Sequence, residues 1–578
     1  MNTNLPINSI EYGLAPDLQS AVDANLADWE RDNKIARLWQ KDAALWTNDD
    51  EAKWLGWLDI VDRELSEKQK FAHFQTEVRA HGFTHILLMG MGGSSLCPEV
   101  LAMTFGKQDG FPEFHILDST DPARIKAIEA KLDLPKTLFF VSSKSGSTLE
   151  PNIFKQYFFE RVSELVGKEN AGKQFVAITD PNSKMQKVAE SDDFWHIFYG
   201  DPAIGGRFSA LSDFGMIPAA AMGLNVEDFL VRTASMIDAC KNHHAKENPG
   251  VLLGAILGTA NKAGRDKLTI ITSPEIFDLG AWLEQLIAES TGKIGKSIIP
   301  IDREELQTPD VYGNDRLFVY LRLDDDDAEA EKITALQNAG QPVVTIVLHE
   351  IENLGQEFFR WEIATAVAGS IMEINTFNQP DVEFSKVETR KLTEEFEKNG
   401  HLPPETPFFE GDGIKLFTDE KNQNALNKIV GEQKSLANYL KAHFSRLVPD
   451  DYFALLAYLE MSSENETWLQ EIRQTILENF HVATCLGFGP RFLHSTGQAY
   501  KGGANNGVFL QITADDAGDL KVPDQNYTFS TVKAAQARGD FQVLVDRDRR
   551  ALRVHLDANV RDALQLLLNA VKKAAPDK

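Results

Sequence analysis

A run of hydroxyl side chains follows a predicted strand in the segment TLFFVSSKSGSTLEPN (137–152) of this 578-residue chain. Four of the hydroxyls surround Gly146 immediately before a helical pattern, and they belong to Ser143, Ser145, Ser147 and Thr148. Hydroxyl groups and the N-terminus of a helix donate uncharged hydrogen bonds that suit a phosphate monoester. A helix cap uses only one such hydroxyl, so the surplus favours phosphate binding over capping. Lys144 either adds a positive charge or points to solvent.

A second loop of small residues, G-M-G-G-S-S-L (90–96), also follows a predicted strand. Gly93 and Ser94 would let backbone N–H groups approach an anion, although a tight turn without a ligand fits this loop equally well. Adjacent parallel strands bring such loops to one edge of a sheet, where open α/β proteins bind ligands. The two loops together resemble the sugar-isomerase (SIS) domain, and this resemblance implies a phosphosugar ligand.

Three further stretches resemble the glucose-6-phosphate isomerase family. They are A-I-G-G-R-F-S-A-L-S (203–212), Q-L-I-A-E-S-T-G-K (285–293) and G-S-I-M-E-I-N-T-F-N-Q-P-D-V-E-F-S-K (369–386). The last stretch fits the family signature F-[DN]-Q-x-x-V-E-x-x-K, except that Asp381 stands where the family usually has Gly or Ala. The resemblance covers roughly residues 70–390.

Aldose–ketose isomerisation moves a proton between C2 and C1 through an enediolate. It needs a base and a cation that stabilises the developing oxyanion. The resemblance implies that Glu289 is the base, that Arg207 stabilises the enediolate, and that Gly206 and Gln285 contact substrate. Without the resemblance, the default interpretation would be that Glu289 is a surface residue and that Arg207 belongs to a structural ion pair.

The same resemblance implies that Lys386 and a histidine together open the ring of the cyclic substrate. The family's D-L-H-S-x-G-Q segment is replaced here by T-P-D-V-Y-G-N-D, with Tyr312 in the histidine position. Tyrosine is a poor proton shuttle at neutral pH because its pKa lies near 10. The segment R-F-L-H-S-T-G-Q-A-Y-K-G-G (491–503) reproduces the missing motif, so we assign ring opening to His494. A capping or core histidine remains the alternative.

The displaced histidine resembles the isomerase half of bifunctional transaldolase/glucose-6-phosphate isomerase proteins, and this likeness extends across residues 391–578. The residues before 70 are too few for a transaldolase barrel, so the chain is expected to be the isomerase portion alone. A histidine supplied by the same chain could remove the need for a partner subunit. Both a monomer and a homodimer stay open.

Short apolar runs alternate with amphipathic stretches after a helical region at about 15–80, which predicts parallel βαβ units. The predicted strands are 84–90, 113–119, 137–143, 174–180, 267–273, 316–323, 342–348, 451–459, 482–488, 507–513 and 551–556. The expected fold class is α/β, with SIS-type three-layer units and a C-terminal α/β domain. The Pro- and Gly-rich segment 401–413 is a candidate boundary, and the expected domains are 1–220, 221–400 and 401–578.

The composition excludes several classes of protein. A net charge of −27 disfavours non-specific nucleic-acid binding and anionic membranes. Three scattered cysteines predict neither a disulfide framework nor a zinc cluster, and we expect no cofactor and no metal. We find no signal peptide or membrane span and expect a cytoplasmic enzyme. A non-catalytic phosphosugar-binding protein and an isomerase of another phosphosugar, such as mannose 6-phosphate, remain alternatives.

Overall fold

The computed structural model describes residues 6–576, which form three parallel-rich sheets flanked by helices. One strand and four helices precede the first of these sheets in the chain. They are β1 (Ser9–Gly13), α1 (Pro16–Arg31), α2 (Lys34–Trp39), α3 (Ile60–Ser66) and α4 (Gln69–His81). The predicted helical region is therefore confirmed, and β1 was not predicted.

The first sheet is entirely parallel, with the strand order β3-β2-β4-β5-β6. Its elements are β2 (His85–Met89), α5 (Leu96–Phe105), β3 (Glu113–Leu117), α6 (Pro122–Glu129), β4 (Thr137–Ser142), α7 (Leu149–Val166), α8 (Lys168–Ala171), β5 (Phe175–Thr179), α9 (Lys184–Ser191) and β6 (His196–Tyr199). β4 and β5 are buried along their whole length. Burial on both faces explains their continuous apolar runs.

The second sheet has the order β1-β10-β9-β7-β8, and β1 is its one antiparallel strand. Its other elements are α10 (Asp213–Met222), α11 (Val226–Cys240), α12 (Pro249–Lys262), β7 (Lys267–Thr272), α13 (Leu279–Thr291), β8 (Ile299–Ile301), β9 (Arg316–Leu323), α14 (Ala330–Asn338), β10 (Val343–Leu348), α15 (Leu354–Met372) and α16 (Pro380–Asn399). The start of the chain thus completes the sheet of the second unit. The predicted domain boundaries near 220 and 400 stay predictions.

The third sheet has the order β11-β12-β16-β15-β13-β14. Its elements are β11 (Phe409–Gly411), β12 (Ile414–Phe417), α17 (Glu420–Val430), α18 (Leu436–Phe444), β13 (Tyr452–Tyr458), α19 (Ser463–Phe480), β14 (Ala483–Phe488), α20 (Gly497–Gly502), β15 (Gly507–Ala514), α21 (Phe529–Asp546), β16 (Arg550–Leu556) and α22 (Val560–Ala574). β13 to β16 are parallel, while β11 and β12 add an antiparallel edge. All eleven predicted strands are present to within two residues at each end, which confirms the α/β class.

The third unit packs directly on two helices that carry predicted catalytic residues. α20 contacts both α13 and α16, and α21 lies along α16. The approach at Gly292 is so close that a Cβ added there would lie 2.3 Å from Cα of Ala499. This packing brings the segment 491–503 against the first two units.

Candidate active site

A cavity of about 1200 Å³ lies at the carboxyl edge of the first sheet and reaches α13, α16 and the turn before α20. Most of the predicted site residues line it. They are Gly93, Ser94, Lys144, Ser145, Ser147, Thr148, Gly206, Arg207, Gln285, Glu289, Lys386 and His494. Residues from all three predicted domains therefore meet in one place.

The hydroxyl loop before α7 leaves its donors available to a ligand. Thr148 occupies the N-cap position of α7, yet its side chain makes no capping hydrogen bond. Ser145 and Ser147 lie with their Oγ atoms 2.8 Å apart. Gly146 has a φ of +65°, and a Cβ there would lie 2.2 Å from the backbone N of Met185, so the sharp turn requires glycine. The loop thus offers hydroxyls and backbone N–H groups at the positive end of an 18-residue helix.

Ser143 and Lys144 are placed differently from the other loop residues. The Ser143 side chain is buried beneath the loop, and Ser143 is not on the cavity wall. β4 ends at Ser142, and the backbone N of Ser143 still donates to the carbonyl oxygen of Ile178 on the neighbouring strand. Ser143 therefore continues the sheet and lies before the turn. Lys144 lines the cavity but forms an ion pair with Asp180 and donates to the carbonyl oxygen of Asp201 at 3.2 Å. Its charge is therefore already partnered within the protein.

Glu289 and Arg207 face each other inside the cavity. Glu289 lies in the last turn of α13 with 6% of its surface exposed, and Arg207 is 1% exposed. The nearest atoms, Glu289 Oε1 and Arg207 Nη1, are 3.7 Å apart. Gln285, one helical turn before Glu289, donates its amide to Glu289 Oε2 at 3.1 Å. A carboxylate and a guanidinium, the two kinds of group that a base and an oxyanion partner need, thus lie next to each other in the cavity.

The Arg207 guanidinium is fixed by protein acceptors on several sides. Nε donates to Ser290 Oγ at 2.7 Å, and Nη1 donates to Gln379 Oε1 at 2.6 Å. Nη2 donates to the carbonyl oxygens of Thr376 and Asn378 at 2.6 and 3.1 Å. Burial lowers the pKa of Arg207 and the Glu289 carboxylate opposes that shift, but an arginine keeps its charge in a protein. A preorganised cation of this kind is effective in catalysis because it need not reorient during the reaction.

Two glycine loops hold the turn that carries Arg207. A Cβ added at Gly93 would lie 1.9 Å from the carbonyl oxygen of Gly206, so only glycine permits this approach. A Cβ added at Gly206 would meet no atom within 4 Å. Gly93 therefore has a packing reason in addition to its place on the cavity wall.

His494 lies in the cavity and forms a pair with Glu150. His494 Nε2 is 3.1 Å from Glu150 Oε1, and the Gln536 amide donates to the same oxygen at 2.7 Å. Burial alone would raise the pKa of Glu150, but the charge and hydrogen bond of His494 outweigh it and lower that pKa. The backbone carbonyl of His494 also accepts from Gln285 Nε2 at 2.8 Å. The alternatives of a helix cap or a core histidine do not fit this position.

Arg491 anchors the turn that carries His494. Its guanidinium forms ion pairs with Glu99 and, at 3.1 Å, with Asp118, both of which belong to the first unit. Tyr312, in contrast, is buried away from the cavity and accepts a hydrogen bond from the backbone N of Gln307 at 2.7 Å. The residue at the family's usual histidine position is thus a core residue here.

Lys386 and Asp381 both belong to α16. Lys386 lines the cavity, but its Nζ lies 2.7 Å from Glu383 Oε1. Asp381, the departure from the family signature, is 2.5 Å from Arg547 and accepts from the Gln498 amide at 2.8 Å. Gln498 also accepts from the backbone N of Asp381 at 3.0 Å. The third unit therefore supplies partners for the unusual aspartate.

Sequence reasoning missed Glu150 and Gln536. Glu150 follows Thr148 by two residues in the first turn of α7, where a carboxylate facing a histidine could have been suspected. Gln536 lies 386 residues from Glu150 and carries no local signal. Only the packing of α21 against the first unit brings the two together.

One group of side chains could hold a metal ion, although none was expected from the sequence. His85, Glu113 and His115 place one ligand atom each within 4.8 Å of one another. His85 and Glu113 are the first residues of β2 and β3, so the group lies at the opposite strand ends from the cavity. A metal there would take no part in chemistry at Glu289.

The hydroxyl loop, the Glu289–Arg207 pair and the parallel sheets are together the features expected of a phosphosugar isomerase. Residues 61–308 match the family model described as Phosphoglucose isomerase. The glucose-6-phosphate isomerase of Methanocaldococcus jannaschii is 27% identical over 367 residues, which cover 57% of this chain and 88% of that protein. The chain is therefore homologous to the glucose-6-phosphate isomerases.

Two solved structures share the fold. A hypothetical protein from Thermus thermophilus has a TM-score of 0.57 at 23% identity and covers 66% of this chain and 99% of its own. A glucose-6-phosphate isomerase from Chlamydia trachomatis has a TM-score of 0.51 at 20% identity and covers 63% and 78%. Across residues 6–576, we find no helix with the length and apolar character needed to cross a bilayer.

Proposed function

We propose that the chain interconverts D-glucose 6-phosphate and D-fructose 6-phosphate through a cis-enediolate, with Glu289 as the base. The observation that carries this proposal is the buried pair of Glu289 and Arg207, whose nearest atoms are 3.7 Å apart on the cavity wall. Glu289 takes the proton from C2 of the open-chain aldose and returns it to C1, and Arg207 stabilises the negative oxygen in between. The homology to glucose-6-phosphate isomerases supports this choice of sugar.

The substrate phosphate would bind at the N-terminus of α7. Ser145, Ser147 and Thr148 supply hydroxyls there, and the helix end supplies backbone N–H groups. Lys144 contributes less than its charge suggests because Asp180 already pairs with it. The phosphate is thus held mainly by neutral donors, which lets a chain of net charge −27 accept an anion.

Ring opening would be the task of His494. The Glu150 carboxylate lies 3.1 Å from His494 Nε2 and fixes the orientation of the imidazole. His494 can donate a proton to the ring oxygen, and Lys386 on the same cavity wall can assist the transfer. The Oε1 atom of Gln285 is buried without a hydrogen-bond partner in the described chain and is free to accept from a sugar hydroxyl.

The described part of one chain contributes all of these groups, so we infer that a single chain can form a complete site. Both a monomer and a homodimer agree with this inference. We also propose a cytoplasmic location and no nucleic-acid partner, as the acidic composition suggests.

The deciding assay supplies fructose 6-phosphate to the purified chain and detects glucose 6-phosphate with a coupled dehydrogenase. We expect turnover, near-complete loss of it in Glu289→Gln, and little change in Glu397→Gln, a matched change in an exposed carboxylate that lines the same cavity. Phosphosugar binding by Glu289→Gln should persist. Binding without turnover by the unmodified chain would instead indicate a phosphosugar-binding protein, and faster formation of mannose 6-phosphate would indicate another isomerase.

A further inference from the structure

The third sheet has two unlike faces near its carboxyl edge. One face belongs to the apolar core and carries Ile414, Leu416, Leu510, Ile512, Leu552 and Val554. On the other face, Gln511 lies opposite Arg553 and Thr513 lies opposite His555. Lys415 of β12 lies opposite His555 on the same face. Part of this polar face is neutralised by the protein itself, since His555 pairs with Asp515 at 3.2 Å.

A cavity of about 780 Å³ covers the polar face. Tyr458 and Thr513 line it from the carboxyl ends of β13 and β15, and Lys533 and Arg538 line it from α21. β14 lies on one side of β13 and β15 on the other, so the strand order reverses between β13 and β15. Open α/β sheets bind ligands at this point, and about 300–1,000 Å³ is the usual size of a small-molecule site. Among residues 6–576, none lines both this cavity and the isomerase cavity.

A carboxylate from the protein already lies in this cavity. Glu405, in the segment before β11, places Oε2 at 2.6 Å from Arg538 Nε and Oε1 at 2.7 Å from Arg553. The Glu405 side chain is 32% exposed, whereas the Arg553 side chain is 5% exposed. A partly exposed carboxylate on a short connecting segment can leave far more easily than the buried guanidinium that holds it.

The guanidinium of Arg553 lacks one hydrogen-bond acceptor that a purely structural arginine would be expected to have. Its Nε is buried and has no acceptor in the described chain. A buried donor without a partner destabilises the fold, and the rings of Phe417 and Phe541 beside the guanidinium offer no oxygen acceptor. The missing acceptor is what a bound ligand would supply.

We propose that this cavity is a second small-molecule site, which binds a four- to six-carbon di- or tricarboxylate between Arg538 and Arg553 in the place of Glu405. Arg538 and Arg553 each hold one oxygen of Glu405 now, and a ligand carboxylate would take the same two charge-assisted contacts. A second carboxylate would reach Lys415, which lines the cavity and has no ion pair in the described chain. His555, two residues after Arg553 on β16, keeps its own partners, Asp515 at 3.2 Å and Thr513 at 2.9 Å.

The test uses citrate as the probe and the full chain, titrated by calorimetry at fixed ionic strength. Fructose 6-phosphate at its equilibrium mixture is present throughout, so that anion binding in the isomerase cavity is blocked. Glu405→Gln removes the internal competitor and is expected to bind citrate about tenfold more tightly than the unmodified chain. Glu410→Gln is the matched control, since Glu410 lines the same cavity and has no ion pair in the described chain. It is expected to leave the citrate affinity within about twofold.

Arg553→Met should abolish citrate binding, and Arg538→Met provides the same test at a more exposed arginine if the first variant does not fold. Isomerase activity of each variant reports folding and is independent of the citrate result. The proposal is overturned if folded Glu405→Gln binds no citrate, because Glu405 would then only anchor its segment. Binding of inorganic phosphate in preference to citrate would overturn the ligand class.

Discussion

Replacing Glu150 by Gln should slow ring opening specifically, because it removes the charge that faces His494 and keeps the shape of the side chain. The Gln536 amide, 2.7 Å from Glu150 Oε1, can still find an oxygen acceptor in the variant. The first consequence should be that the partner of His494 Nε2 is a neutral amide in place of a charged carboxylate. The base at Glu289 and the guanidinium of Arg207 are not in contact with Glu150 and should keep their geometry.

The size of the effect follows from the burial of the pair. The Glu150 and His494 side chains are 5% and 14% exposed, so solvent screens their interaction only weakly. A hydrogen bond to a charged group contributes about 1.5–3 kcal/mol, against about 0.5–1.5 for a neutral one. The difference of about 1–2 kcal/mol corresponds to a loss of about 5–30-fold in the rate of ring opening.

The assay compares two substrates. Fructose 6-phosphate is mainly cyclic, while 5-deoxyfructose 6-phosphate lacks the hydroxyl that closes the ring and stays open. We expect Glu150→Gln to lose about 5–30-fold in kcat/KM on the first and less than about twofold on the second. Glu397→Gln is the control for loss of a cavity carboxylate, since Glu397 lines the cavity and has no ion pair in the described chain. An equal loss on both substrates would refute the assignment of the Glu150–His494 pair to ring opening.

Three further changes test the site and its support. Arg207→Met should lower kcat by about 10²–10³-fold on both substrates, measured in the coupled assay, because it removes the oxyanion partner; an unchanged kcat would contradict that role. Gly93→Ala should destabilise the chain by about 1–3 kcal/mol in thermal unfolding, since its methyl group would collide with the Gly206 carbonyl. Burial, reinforced by Asp302, raises the pKa of Glu284 to about 8. The folded chain therefore keeps a proton there that the unfolded chain releases near pH 4.3, and stability falls as pH rises between these values. Glu284→Gln should remove part of that fall. The midpoint of thermal unfolding of the variant, relative to that of the unmodified chain, should therefore be about 2–4 °C higher at pH 8.5 than at pH 5. A difference between the two midpoints that does not change with pH would contradict the shifted pKa.

The buried strands could be predicted from sequence because their signal is local. β4 and β9 contain continuous apolar stretches, 138–141 and 317–321, because these strands are buried on both faces. β1, β6, β8 and β11 were missed because they are edge strands of three to five residues, and β12, next to β11, has only four. Partners from distant parts of the chain, such as β10 for β1, decide whether such short segments become strands.

The same distinction applies to the site. The hydroxyl loop was recognisable because Ser145, Ser147 and Thr148 lie within four residues of one another. That Ser143 lies beneath the loop, and that Asp180 neutralises Lys144, depends on where β4 ends and on a neighbouring strand. Sequence therefore identified the kind of chemistry more accurately than the part taken by each side chain.

In the proposed mechanism the third unit takes part in catalysis, and the departures of the sequence from the family pattern are connected through it. The usual histidine position is taken into the core as Tyr312, and His494 enters the cavity from the third unit instead. Asp381 would be an unpaired buried charge without Arg547 and Gln498, which the same unit supplies. Gln498 lies four residues after His494, so one short segment both delivers the histidine and holds the start of α16. Loss of this segment should therefore disturb Lys386 as well as His494, because both depend on the same contact between α20 and α16.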